Sequence, residues 1–297
     1  VSMPDTYGYE VPEQRAQEVL KRFFQGPVNM LDTSRNYAMG ESEKRIGIAI
    51  KANDGWPEKF VLSTKIDRNM DTLVLDEKRT RESFEESLKT LNVDSVDVLF
   101  LHDPEYAKDI NDVTKKDGAL DELFKIKEEG LAKAVGLAMG RIDIMFPILR
   151  KWDFDVIINH NRYTLLNREA DEMYSYAYSK NISIFNAAPY AGGVLAKGPS
   201  NFKKITYQDA TEEKLAPARE IEKVCKKYNI EMGAAALQFS MKDKRITSTI
   251  CGVTSVQSIE KNISWAETDI PEEFWNEVLK LPYSTKDPES ERTYTPG

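Results

Sequence analysis

The sequence predicts a (β/α)8 barrel, formed as a single domain by residues 1–297. Short apolar runs alternate with longer amphipathic segments along the whole chain. Seven such units exceed the roughly five or six strands at which a doubly wound sheet usually ends. No low-complexity linker and no change of composition marks a second domain.

The predicted strands have the near-continuous apolar character of parallel strands that are buried on both faces. They lie at 28–33, 59–66, 95–103, 133–139, 154–160, 182–189 and 246–253. An eighth strand, the first of the barrel, is expected at or before Val1.

The predicted helices show apolar residues at helical spacing between these runs. They lie at 12–24, 40–51, 80–91, 119–130, 142–152, 168–180 and 212–228. Gly130 stands where a helix C-cap is expected. Extra helices are expected at 233–243, after the seventh barrel strand, and at 271–281, near the C-terminus.

Composition excludes several classes of protein. A formal net charge of −8 lacks the basic footprint that a nucleic-acid partner requires. Two cysteines, Cys225 and Cys251, cannot form a disulfide scaffold and indicate a cytoplasmic protein. Two histidines argue against a histidine-rich metal site, so no metal is expected. No apolar run approaches the ~20 residues that span a bilayer.

Polar side chains stand at the ends of three consecutive predicted strands. The segment LDTSRNYAMGESE ends one strand on Asp32 and places Tyr37 in the following loop, while the next two strands carry Lys65 and His102. Because the C-terminal strand ends of a barrel surround its active site, we expect these four side chains to converge.

The four residue types suit proton transfer to or from a substrate oxygen. A tyrosine with a pKa near ~10 is a poor acid at neutral pH, and a nearby lysine cation favours its phenolate. Asp32 can pair with Lys65, and His102 can hydrogen-bond the substrate or Tyr37. Each residue alone could be a turn cap, a solvated charge or a packing residue. Their matching positions favour carbonyl reduction or alcohol oxidation.

The segment DTSRNYAMGESEKRIG resembles the signature of the aldo-keto reductase superfamily. The resemblance covers nearly the whole chain, through the segments at 63–65, 87–104, 186–198 and 250–262. RYTLL at 162–166 and the PYAGGVL loop are most similar to the branch that contains D-threo-aldose 1-dehydrogenase, or L-fucose dehydrogenase. This resemblance implies a (β/α)8 barrel that transfers hydride to or from a nicotinamide dinucleotide. It also implies a catalytic tetrad of Asp32, Tyr37, Lys65 and His102.

A Rossmann fingerprint is absent, so the dinucleotide is expected at the loops 191–198 and 251–257. Alternatively, these two loops are ordinary glycine turns that bind no cofactor. The cofactor contacts implied by the resemblance, several of them shifted from the usual family pattern, fall on Asn159, His160, Tyr190, Gly193, Leu195, Gly252, Ser255, Ser258 and Asn262. The usual Ser-Asn pair is replaced by Ala138 and Met139, so the carboxamide contact is assigned to Asn159 beside His160 or Asn161. Tyr190 is expected to replace the usual stacking aromatic, because Ala187 occupies that place.

The sequence of the last loop, 251–257, and of the residues after it predicts that the protein prefers NAD to NADP. NADPH-using relatives often carry a lysine and an arginine where this chain has Gly252 and Ser258. Losing both cations removes the charge-assisted contacts to a 2′-phosphate. Lys261 is the residue that could compensate.

The substrate is expected to contact Tyr106, Arg162 and Tyr7, because polar groups and aromatics at the rim suit a sugar. With NAD kept mostly oxidised in cells, the expected reaction is oxidation of an aldose at C1 to a lactone. Four alternatives stay open: an NADPH-dependent carbonyl reductase, a pyridoxal-type dehydrogenase, a nicotinamide-binding regulatory subunit and a carboxylate-based hydrolase. The sequence leaves the oligomeric state undetermined.

Overall fold

The computed structural model describes residues 10–292. The expected first strand, at or before Val1, lies outside these residues. The chain divides into two compact units, the first running to Ile158 with Val253–Val256 added. The second comprises Asn159–Gly252 and the chain from Gln257 onward. The expectation of a single domain stays a prediction.

The first unit contains a parallel sheet whose strands pair in chain order. They are β1 (Met30–Asp32), β2 (Val61–Ile66), β3 (Val96–His102), β4 (Ala132–Ala138) and the first residues of β5 (Val156–His160). In the register, Asp32 lies opposite Ser63, and His102 lies opposite Ala138. The polar strand ends therefore fall at one edge of this sheet.

Six α-helices are described in the first unit. They are α1 (Glu13–Phe23), α2 (Glu41–Ala52), α3 (Glu77–Leu91), α4 (Ile110–Thr114), α5 (Ala119–Glu128) and α6 (Ile142–Leu149). Helix α3 begins three residues before its predicted start because the Asp76 side chain accepts the backbone N–H of Arg79. The short α4, which was not predicted, is capped in the same way by Asp109.

The second unit contains β6 (Ser183–Ala187), which pairs in parallel with β9 (Ser248–Ile250). A small antiparallel pair, β7 (Lys204–Ile205) and β8 (Gln208–Asp209), was not predicted. The helices are α7 (Asp171–Ser179), α8 (Val194–Lys197), α9 (Glu212–Lys227), α10 (Met232–Met241), α11 (Val256–Glu267, from Gln257 in this unit) and α12 (Glu272–Val278). Helix α11 was not among the predicted helices.

All seven strands predicted within the described residues are confirmed. Strand β3 shows why the apolar pattern was informative, because Leu99, Phe100 and Leu101 are all fully buried. Consecutive burial of this kind is expected for a strand that is covered on both faces. None of the helices between residues 10 and 292 combines the length and apolarity that a membrane crossing requires.

Candidate active site

Asp32 and Lys65 form a buried ion pair at the ends of β1 and β2. The Lys65 ammonium lies 2.5 Å from Asp32 Oδ2 and donates to the carbonyl of Thr33 at 2.6 Å. The hydroxyl of Ser63 donates to Asp32 Oδ1 at 2.8 Å. Only 2% of the Lys65 side chain and 6% of the Asp32 side chain is exposed. These contacts fix the position of the lysine cation.

Tyr37 lies against both Lys65 and His102. The Lys65 ammonium is 4.5 Å from the centre of the tyrosine ring, and the His102 ring meets it edge-on at 5.6 Å. Two backbone hydrogen bonds hold the tyrosine loop, from Tyr37 N to Ser34 O and from Ser42 N to Tyr37 O, each 3.2 Å long. The structure thus brings together the four side chains that the sequence singled out, while their catalytic roles stay predictions.

His102 also has a buried partner, Asp67, that the sequence pattern did not single out. Nδ1 of His102 lies 2.6 Å from Asp67 Oδ1. The other carboxylate oxygen accepts hydrogen bonds from the hydroxyl of Ser34 and from the backbone N–H of Asn36, the latter at 2.9 Å. One signal was available: Asp67 stands two residues after Lys65, and alternate residues of an extended chain face the same side.

The surroundings of Asp67 and His102 shift the pKa of each group toward its charged form. Burial opposes charge on Asp67, but the histidine charge and the bonds from His102, Ser34 and Asn36 lower the pKa of its carboxyl. Burial and Lys65 oppose charge on His102, but the carboxylates of Asp67 and Asp103 raise the pKa of the imidazole. This site therefore contains two buried acid–base pairs, Asp32–Lys65 and Asp67–His102.

In the second unit, two of the residues predicted to bind cofactor contact each other. The Tyr190 hydroxyl donates to Asn262 Oδ1 at 2.5 Å, and its ring meets Trp265 edge-on at 5.6 Å. Burial raises the pKa of Tyr190 well above its usual range, so its phenol stays protonated. Its expected stacking on nicotinamide stays a prediction.

Gly193, predicted to bind cofactor, directly precedes α8, and Leu195, predicted likewise, lies within that helix. The backbone angle φ of Gly193 is +114°, a conformation that residues other than glycine rarely adopt. Leu195 is fully buried in the short helix α8. Contact of Gly193 or Leu195 with a cofactor stays a prediction.

Gly252, in the loop after β9, is exposed and has open space beside it. A Cβ placed on Gly252 would meet no atom within 4 Å. Ser255 directly precedes α11, and Ser258 is the third residue of this 12-residue helix. Helix N-termini attract phosphate, and the contact of a dinucleotide with Gly252, Ser255 and Ser258 stays a prediction. The Lys261 ammonium is paired with Glu231 at 2.7 Å.

Asn159 and His160 end strand β5. Asn159 is fully buried, and His160 Nε2 lies 3.1 Å from Glu289 Oε1. Burial opposes charge on Glu289, but His160, Arg162 and Asn161 lower the pKa of its carboxyl far below the usual range. The carboxamide contact expected from Asn159 stays a prediction.

Arg162, predicted to contact substrate, is buried and paired with carboxylates of the C-terminal segment, and its contact with substrate stays a prediction. It is 1% exposed, and its guanidinium pairs with Asp287 at 2.5 Å and with Glu289 at 3.2 Å. These carboxylates occupy the guanidinium, so Arg162 binds the C-terminal segment of the chain. Sequence spacing could not reveal partners more than a hundred residues away.

Of the other two residues predicted to contact substrate, the structure describes only Tyr106. Tyr106 is half-buried in a 3-10 turn, Pro104–Tyr106, with the Arg68 guanidinium 5.5 Å from its ring. Tyr7 lies outside the described residues. Contact of either residue with substrate stays a prediction.

Comparison with known proteins gives consistent matches. Residues 3–281 match the model of the aldo/keto reductase family. The chain is 29% identical to L-galactose dehydrogenase of Arabidopsis thaliana, over 86% of this chain and 78% of the relative. It is 27% identical to D-threo-aldose 1-dehydrogenase of a Pseudomonas species, over 90% of this chain and 88% of the relative. It is also 25% identical to pyridoxal 4-dehydrogenase of Microbacterium luteolum, over 90% and 89%.

A solved aldo-keto reductase from Bacillus halodurans, in its holo form, superimposes with a TM-score of 0.76. The match has 19% sequence identity and covers 96% of this chain and 92% of the other. It confirms the predicted fold class, the (β/α)8 barrel. With the family match over residues 3–281, the chain belongs to the aldo/keto reductase family and is an oxidoreductase that uses a nicotinamide cofactor.

Proposed function

We propose that this protein is an NAD-dependent aldose dehydrogenase that oxidises a sugar at C1 to a lactone. The observation that carries the proposal is the position of Tyr37 against the Lys65 cation, 4.5 Å from its ring. A buried cation favours the phenolate, which is the form that removes a proton from an alcohol. Two of the relatives named above are dehydrogenases of sugars.

In the proposed reaction, Tyr37 accepts the proton of the C1 hydroxyl as the C1–H bond breaks. The electron pair of that bond leaves as hydride, and the carbonyl of the lactone forms. A bound nicotinamide supplies the hydride acceptor. Asp32 and the Thr33 carbonyl hold the Lys65 ammonium beside the phenol. In this proposal, His102 hydrogen-bonds the substrate oxygen.

The preference for NAD is part of the proposal. Positions 252 and 258 bear Gly and Ser, so neither offers a cation to a 2′-phosphate. Lys261, the residue that could compensate, has its ammonium at 2.7 Å from Glu231. An anion competing for this lysine would have to displace that carboxylate. A cytoplasmic location, predicted from the two cysteines, is also proposed.

A second candidate is reduction or oxidation of a non-sugar carbonyl, since one relative is a pyridoxal 4-dehydrogenase. A regulatory role is a third, because the chain is also 24% identical to a probable voltage-gated potassium channel subunit beta of Arabidopsis thaliana. The two buried charge pairs around Tyr37 favour turnover over a purely regulatory role.

The test is cofactor binding followed by turnover with the same samples. Tryptophan fluorescence would be titrated with NAD⁺ and NADP⁺ in parallel. Absorbance at 340 nm would then be followed with L-fucose, L-galactose, D-arabinose and pyridoxal. Tighter NAD⁺ binding with sugar-dependent absorbance supports the proposal. Tighter NADP⁺ binding, or turnover of pyridoxal alone, contradicts it, and binding without any turnover favours the regulatory role.

A further inference from the structure

We propose that Asp67 is a positioning residue that keeps His102 as an imidazolium, with Nδ1–H donated to Asp67 and Nε2–H left for the substrate oxygen. The charge state of His102 is a property of the free protein. Only the use of Nε2–H in hydride transfer rests on the proposed function.

The geometry assigns separate tasks to the two oxygens of Asp67. Oδ1 lies 2.6 Å from His102 Nδ1, within the range of a charge-assisted hydrogen bond. Oδ2 accepts from the Ser34 hydroxyl and from the Asn36 N–H. Both donors belong to the loop that carries Tyr37. Asp67 therefore ties the histidine to the loop of the proposed proton acceptor, and with 2% exposure it is shielded from water.

The donor count explains why the charged form matters. A neutral imidazole has one N–H, and Asp67 would take it at Nδ1, leaving Nε2 as an acceptor. An acceptor cannot stabilise negative charge that develops on a substrate oxygen. An imidazolium donates from both nitrogens, so Nε2–H can stabilise that charge while Nδ1–H stays on Asp67.

Other charged groups face His102 and must be weighed. Asp103, which follows it in the chain, has Oδ2 at 3.8 Å from Nε2 and adds to the effect of Asp67. Lys65 opposes a histidine charge but is itself paired with Asp32. The Tyr37 ring meets the imidazole edge-on. Asp67 dominates because it is the closer carboxylate, it is more deeply buried, and its second oxygen is already anchored.

The experiment is nitrogen-15 NMR of the histidine rings, titrated with pH in the absence of substrate. The chain has two histidines, so His160→Gln assigns the His102 signals directly. In the unmodified protein we expect both nitrogens of His102 to be protonated at pH 7. A neutral His102 at pH 7, in either tautomer, overturns the proposal without requiring any further variant.

Asp67→Asn is the decisive variant, and Asp97→Asn is its matched control. Asp97 accepts the backbone N–H of Leu62 at 2.8 Å and pairs with Lys133, at the other end of the same sheet. We expect Asp67→Asn to lower the titration midpoint of His102 by about one pH unit or more, and Asp97→Asn to leave it unchanged. An unchanged midpoint in Asp67→Asn, or an equal change in both variants, overturns the proposal.

Failure of this proposal can be distinguished from failure of the proposed function. The NMR titration needs neither sugar nor cofactor, so its result stands even if the protein does not oxidise aldoses. Once a substrate is found, the pH profile of kcat/KM reports the use of Nε2–H. Its basic limb should move to lower pH in Asp67→Asn by the amount seen in the titration. A profile that falls uniformly at every pH would show a merely structural role.

Discussion

The Lys65 ammonium lies 2.5 Å from the Asp32 carboxylate, and both side chains are almost completely buried. A buried pair of this kind contributes little net stability compared with apolar residues, because both charges lose their hydration. Removing one partner is different, since the other charge is then left in the interior without compensation. Stability and activity should therefore respond differently to substitutions at these two positions.

Lys65→Met is expected to lower the free energy of unfolding by about 3–5 kcal/mol, because Asp32 keeps a buried charge without its partner. The double variant Lys65→Met with Asp32→Asn should recover part of this loss while activity stays abolished. Urea unfolding and the 340 nm assay measure the two effects. Equal destabilisation in the single and double variants would disprove the coupling.

Tyr37→Phe is expected to reduce turnover by about 10²- to 10⁴-fold, the usual contribution of a general acid or base. Binding of NAD⁺ should stay within about twofold, because the phenyl ring retains the packing against Lys65 and His102. The exposed Tyr178, changed to Phe, is the matched control and should leave both quantities unchanged. Full turnover in Tyr37→Phe would exclude it as the proton acceptor.

Gly252→Lys combined with Ser258→Arg is expected to raise affinity for NADP⁺ by tenfold or more, roughly the effect of one charge-assisted hydrogen bond. A side chain at position 252 has room, because a Cβ added to Gly252 would meet no atom within 4 Å. Gly252→Ala with Ser258→Ala adds no charge and serves as the control. A double cationic variant that keeps its original NADP⁺ affinity would place the 2′-position elsewhere. Fluorescence titration measures both affinities.

Arg162→Met is expected to destabilise the protein by about 3–5 kcal/mol, because Asp287 and Glu289 lose their buried partner. Arg219→Met removes a partly exposed pair with Glu212 and should change stability by less than about 1 kcal/mol. Thermal and urea unfolding give the comparison. If Arg162→Met instead raised the KM of an accepted sugar and left stability unchanged, the result would support the predicted contact between Arg162 and substrate.

Asp67→Asn should reduce stability most at mildly acidic pH. The raised pKa of His102 gives stability that is complete below the ordinary histidine value of 6.5 and is lost as pH rises through the folded-state value. The lowered pKa of Asp67 gives stability that is complete above 3.8 and is lost as pH falls through its folded-state value. A tenfold change in either acid dissociation constant corresponds to about 1.4 kcal/mol of unfolding free energy.

The difference in unfolding free energy between the unmodified protein and Asp67→Asn should therefore be largest near pH 5 and smaller at both pH 2 and pH 9. Urea unfolding at these three pH values provides the measurement. A difference that stays constant across this range would mean that the pair is not ionised in the folded protein.

The amino-acid pattern alone was enough to predict seven of the nine described strands and the meeting of Asp32, Tyr37, Lys65 and His102. Strand burial produces continuous apolar runs, and parallel strands bring their carboxyl ends to one edge, so both results follow from local pattern. Only the folded chain revealed that Asp67 pairs with His102, 35 residues away, and that Arg162 pairs with Asp287, 125 residues away. Periodicity records which face of an element is buried. It carries no information on which distant charge compensates a buried one, because that depends on strand register and on the path of the returning chain.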